Sequence, residues 1–179
     1  MPAFFHLFRG SLPEGLPRGK AMAGGFKKIF ADSMLGKLAL WMRVMGYDVE
    51  YEKAIDDGEL VRRARKEGRV ILTRDTLLIK RRWARDNHLF IKSDHIRDQL
   101  KEAVSFFGIK KERFLTRCLR CNVTLADIER ESVKDSVPPY VYSTQENFSK
   151  CPVCGRIYWA GTHRENMEKE VERIAGGLK

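Results

Sequence analysis

Ile29-Phe30-Ala31-Asp32-Ser33-Met34-Leu35-Gly36-Lys37-Leu38-Ala39-Leu40-Trp41-Met42-Arg43 begins as a short apolar run and passes, through one acid, into a helical pattern. Leu38, Trp41, Met42 and Met45 recur at i, i+3, i+4 and i+7, giving one broad apolar face, and Gly46 stands where such a helix stops. Lys37 and Arg43 fall on its polar side. Asp32 therefore sits at the carboxyl end of a strand beside a helix start, where open α/β sheets place their ligands. The simpler reading is that Asp32 or Ser33 caps the helix.

The same alternation continues downstream. Residues 48–51 read as a second short strand, 56–66 as a helix ending at Gly68, and 70–73 as the continuous apolar run of a buried parallel strand. A helix is expected over 76–85, a fourth strand over 88–91, and a helix over 95–107 with Ile96, Leu100, Val104 and Phe107 on one face. Strands alternating with helices imply βαβ crossovers, hence a three-layer α/β domain over residues 29–110 with a parallel sheet.

Parallel strands bring their carboxyl ends to one edge, and here each is followed by an acid. Asp32 follows the first, Asp57 (with Asp56 and Glu59) the second, Asp75 the third and Asp94 the fourth. Like charges gathered at one edge need a counter-charge, protonation or cations. Carboxylates without a paired His suit Mg²⁺ or Mn²⁺, which can activate water toward a phosphodiester. A nuclease follows as the sharp expectation. Lys37 and Arg74 are placed to meet phosphates, and the run Lys80-Arg81-Arg82-Trp83-Ala84-Arg85 mixes cations with an aromatic, as nucleic-acid grooves do. Solvated surface charge and ordinary packing are the plainer readings of the same residues.

All four cysteines fall in two C-x2-C knuckles, Cys118-Leu119-Arg120-Cys121 and Cys151-Pro152-Val153-Cys154, separated by 29 residues. Four thiolates satisfy tetrahedral Zn²⁺ and leave no open position, so the ion would stabilise a small ribbon (residues 111–163) without catalysing. Residues 137–142 and 156–159 are expected to be extended. Two disulfides are the alternative, compatible with a cytosolic protein only from a hyperthermophile. Arg117, Arg120, Arg156, Tyr158 and Trp159 are candidate nucleic-acid contacts on that ribbon, Tyr158 and Trp159 equally candidates for docking it. His163 is expected to make a structural hydrogen bond, and Met167, Val171 and Ile174 form the apolar stripe of a last helix within 164–179.

The chain has 179 residues, 43% of them apolar, enough for one packed domain and a small appendage. No stretch reads as a membrane span or a signal sequence, and a cytoplasmic protein is expected. Thirty-four basic residues against 24 acidic ones give a net charge of +10, which points to a polyanionic partner. Few Asn and Gln beside abundant Lys, Arg and Glu hint at a thermophile. Residues 1–28, rich in Pro and Gly and without periodicity, are expected to be a basic arm or, given Met22, the product of a misassigned start.

With both halves in view, the sequence resembles the Mut7-C family of RNases. The resemblance rests on residues 30–39, Asp57-Gly58-Glu59-Leu60-Val61, Leu72-Thr73-Arg74-Asp75, Ser93-Asp94, both cysteine knuckles, and Gly155-Arg156-Ile157-Tyr158-Trp159 with Gly161-Thr162-His163. It covers about residues 29 to 167. It implies a PIN-like domain followed by a zinc ribbon, a metal-dependent endoribonuclease, and Asp32, Asp75 and Asp94 as Mg²⁺ or Mn²⁺ ligands with Asp57 as a fourth acid and Lys37 beside them. RNA is the implied substrate, with Arg74, Arg81, Arg82, Arg120 and Arg156 as contacts and the ribosome or tRNA as candidate partners. Leu40 stands where the family often has Arg, and Cys121-Asn122-Val123-Thr124 lacks the Gly-Pro common after the second cysteine. A non-catalytic RNA- or ribosome-binding factor and a DNA-directed nuclease remain the alternatives.

Overall fold

The structure, a computed structural model, describes residues 27–108 and 111–176. The expectations for residues 1–26 and for the side chain of His163 lie outside what it describes.

Four parallel strands form the first sheet: β1 (Ile29–Ala31), β2 (Val49–Tyr51), β3 (Val70–Thr73) and β4 (His88–Phe90), in the order β2-β1-β3-β4. Side chains alternate across a strand, and this alternation divides the core. Ile29, Ala31 and Leu72 point into one layer, with Leu38 and Met42 of α1 (Gly36–Val44) and Leu100, Ala103 and Val104 of α3 (Ile96–Phe107). Phe30 and Ile71 point into the other, against Leu60 and Ala64 of α2 (Asp57–Glu67). The three-layer expectation holds, and α2 ends at Gly68 in the left-handed conformation.

The helix expected over 76–85 does not form. Two short 3-10 turns, Leu78–Lys80 and Ala84–Asp86, replace it, with Arg81 extended between them. The reason is geometric. Leu78 and Ala84 both anchor the α2-side core, whereas residues six apart on an α-helix point about 120° apart. Breaking the helix turns both inward.

The cysteine-bearing half contains a three-stranded antiparallel sheet of β5 (Ala126–Ile128), β6 (Phe148–Lys150) and β7 (Ile157–Trp159), over a small core of Val133, Val137 and Phe148. The strand at 156–159 is present. Residues 137–142, expected to be extended, instead enter a short helix, α4 (Pro139–Thr144). Pro139 lies at its start, where a missing N–H costs nothing and the fixed φ favours helix, and Val137 and Val141, four apart, face the same cluster.

The last helix, α5 (Thr162–Gly176), returns to the first domain. Val171 and Ile174 enter the core beside α1 and α3, so the expected apolar stripe closes the molecule back on its α/β half. Among the described residues no helix is long and apolar enough to cross a membrane.

Candidate functional site

The order β2-β1-β3-β4 reverses direction between β1 and β3. Ligands in open α/β sheets collect outside the carboxyl ends of strands at such a switch point, and the residues leaving those two ends are Asp32 and, two positions beyond Thr73, Asp75. Asp32 is only 6% exposed. Its carboxylate accepts from the Thr73 hydroxyl at 2.7 Å and from the Ser33 hydroxyl at 3.1 Å, and makes no side-chain cap to the turn that follows. The capping role is thereby set aside. Thr73 Oγ1 in turn accepts from the Asp75 backbone N–H at 2.9 Å. A fully buried threonine thus fixes one carboxylate and the backbone that presents the next. Its role was not singled out in the sequence, because it depends on β1 and β3 lying side by side.

The other acids share the edge with different partners. Asp75 accepts from the Leu77 N–H at 2.6 Å and shapes the loop. Asp56, not Asp57, caps α2, through Gly58 and Glu59 N–H. Asp57 is left to face Arg81 at 3.6 Å. Asp94, mostly exposed, is paired with the Arg74 guanidinium, whose buried Nε has no partner. Lys37, exposed in the first turn of α1, has no ion-pair or side-chain hydrogen-bond partner among the described residues. The donor set is all oxygen, as Mg²⁺ or Mn²⁺ requires. Among the described residues, however, no three acids bring ligand atoms within 4.8 Å of one another. The fold places the acids along one edge, where arginines pair with two of them, Asp57 and Asp94.

Gly36 is required beside this edge. A Cβ there would lie 2.6 Å from the Tyr51 hydroxyl, which donates to the Ser33 carbonyl at 3.2 Å and braces the turn carrying Asp32 away from the strand.

The cysteines are arranged in the opposite manner. Sγ atoms of Cys118, Cys121, Cys151 and Cys154 all lie within 4.8 Å of one another and all four thiols are free. Cys118 and Cys154 are 3.7 Å apart, close to the edge of a tetrahedron with metal–sulfur bonds of about 2.3 Å. Burial raises the Cys118 pKa, but hydrogen bonds from the Tyr158 hydroxyl and from backbone N–H groups outweigh it and bring it down to about 6. Cys121, hydrogen-bonded to Cys154 and facing the other thiols, is pushed up to about 12. One thiolate forms readily and resists a second, so the quartet is a ready site for a thiophilic cation such as zinc.

This cluster is bolted to the sheet. Buried Arg43 of α1 donates to the carbonyls of Val49, Leu119 and Arg120 at 2.9–3.1 Å. Asn122, at φ 61°, accepts from the Val49 N–H at 2.9 Å and donates to Asp48 at 2.7 Å. Asn tolerates the left-handed turn, and its side chain covers the open edge of β2 as a Gly there could not. Arg117, a candidate nucleic-acid contact from the sequence, donates to the Asn122 carbonyl and faces Asp48. Tyr158 belongs to the cysteine cluster, while Arg120, Arg156 and Trp159 are exposed.

A family model described as the Mut7-C RNAse domain matches residues 27–171, both halves and most of the last helix. No curated protein matches the chain. With four-fifths of its length under one family model, the chain belongs to the Mut7-C RNase domain family.

Proposed function

We propose that this protein is a Mg²⁺- or Mn²⁺-dependent endoribonuclease whose PIN-like α/β half carries the reaction and whose zinc-holding ribbon stabilises the fold and offers RNA contacts. The observation that carries this reading is the buried Asp32 carboxylate at the β1/β3 switch point, held by Thr73 next to Asp75. Asp32, Asp75 and Asp94 are the residues that would hold the cation, with Asp57 as a fourth acid. Such a cation supplies charge compensation and activation of water at the phosphodiester. Lys37, exposed in the first turn of α1, neutralises charge developing on the phosphate. Arg74, Arg81 and Arg82 on the sheet side, and Arg120 and Arg156 on the ribbon, meet flanking phosphates.

The test is cleavage of labelled single-stranded RNA by zinc-loaded protein with and without added Mg²⁺ or Mn²⁺. Cleavage that requires the added cation and falls about 100-fold or more in Asp32→Asn is expected; cleavage unchanged in that variant overturns the site.

A second reading, a non-catalytic RNA- or ribosome-binding factor, draws on the Arg74–Asp94 and Arg81–Asp57 pairs, which occupy two of the acids. It expects salt-sensitive RNA binding and no cleavage with any added cation.

A further inference from the structure

Between α2 and the two 3-10 turns after β3 lies an open groove that is not part of the acid edge but runs away from it. Gly58, Val61, Arg62 and Arg65 form one wall. These positions are i, i+3, i+4 and i+7, so a single face of α2 supplies them. The opposite wall is Arg81, Arg82, Trp83, Asp86 and Asn87. Four guanidinium groups therefore line it against one carboxylate.

Its two ends differ. Gly58 and the Asp57–Arg81 pair lie at the carboxyl edge of the sheet, while Arg65 in the last turn of α2, with Asp86 and Asn87 just before β4, lies at the amino edge. Seven residues of helix make this run about 10 Å long, room for a base and the phosphates on either side of it. Arg62 is already engaged by Glu59 through two hydrogen bonds of 2.8 and 2.6 Å. Arg65 and Arg82 are exposed and, among the described residues, have no ion-pair or side-chain hydrogen-bond partner. Trp83 packs one side against the Leu60–Leu78–Ala84 core and lines the groove, and its backbone carbonyl accepts from Asn87 Nδ2 at 3.1 Å. A rigidly seated aromatic between unpaired arginines suits an unstacked base flanked by phosphates.

We infer that this groove is a binding track for single-stranded RNA, leading the strand from the acid edge across the α2 face of the sheet, with Arg65 and Arg82 on phosphates and Trp83 under a base. The identity of the polymer as RNA rests on the ribonuclease reading; the track itself does not.

Fluorescence anisotropy of a labelled single-stranded RNA on the full, zinc-loaded chain, without added divalent cation and across a salt series, tests it. Each phosphate contact contributes about 0.7 to the slope of log K against log salt for a single strand. Arg65→Ala/Arg82→Ala should lower the slope by about 1.4 and weaken binding about tenfold at moderate salt, with an unchanged thermal melt. Lys134→Ala/Lys169→Ala, which removes the same charge from other exposed positions, should change both far less. A slope and affinity unaltered in the arginine variant, a loss matched by the lysine variant, or no salt-dependent RNA binding by the unaltered protein overturns the track. Tighter binding of DNA of the same sequence overturns its assignment to RNA. Loss of slope together with no cleavage under any cation sustains the track and removes the nuclease reading; cleavage with unchanged slope does the reverse.

Discussion

The two candidate metal regions of this chain are built on opposite plans. The cysteines come from two tight local knuckles and converge before any cation is considered, all four sulfurs within 4.8 Å. The acids come from four separate strand ends, share an edge, and are distributed among threonine, backbone and arginine partners. A cluster holding one thiolate among thiols that stay neutral can assemble at little electrostatic cost, whereas several carboxylates cannot crowd together unaided. The difference sets a preassembled thiol cluster, ready for a thiophilic cation, against an edge whose acids are already balanced by threonine, backbone and arginine partners.

The largest effect that would sharpen this contrast is at the cysteines. Cys118→Ser should abolish stoichiometric zinc in elemental analysis and lower Tm by about 10 °C or more, because loss of a structural zinc forfeits folding free energy. A variant that melts like the unaltered protein would make the quartet dispensable and break the comparison.

Next is the junction through which the cysteine half is attached. Arg43→Ala leaves carbonyls of Val49, Leu119 and Arg120 without their donor, and a loss of about 2–4 kcal/mol is expected in urea unfolding. Asn122→Gly, which keeps the left-handed turn but removes the cover on β2, should cost about 1–2 kcal/mol. If neither variant shifts the midpoint, the halves are held by something other than this seam.

The smallest effect concerns pH. Burial acts to raise the Asp48 pKa, but Arg69 and Asn122 outweigh it and hold it below the ordinary carboxylate value. A depressed folded pKa contributes stability that is present above the unfolded value of about 3.9 and is lost as pH falls through the folded one. Asp48→Asn should therefore flatten the fall of stability below about pH 4. Identical acid-unfolding curves for Asp48→Asn and the unaltered protein would contradict this.

Local signals and long-range ones were not equally legible in the sequence. The strand at 29–31, the buried run at 70–73, the stop at Gly68 and the two knuckles are each written within a few residues, and each is found. The segment after β3 misleads because Leu78 and Ala84 share a core only if the helix is interrupted. Residues 137–142 mislead because β-branched and aromatic side chains hide a four-residue spacing behind Pro139. Thr73, Arg43 and Asn122 gain their meaning from partners 41 to 77 residues away. The same is true of Arg117, which resembles a surface cation until Asn122 and Asp48 are beside it.

The most direct test of the two-region account is a Mn²⁺ titration of the zinc-loaded protein, followed by paramagnetic resonance of the free ion, with Asp32→Asn in parallel. The account predicts saturable Mn²⁺ binding that leaves the zinc content unchanged and disappears in Asp32→Asn. Mn²⁺ bound equally by both proteins, or taken up only as zinc is displaced, would contradict it.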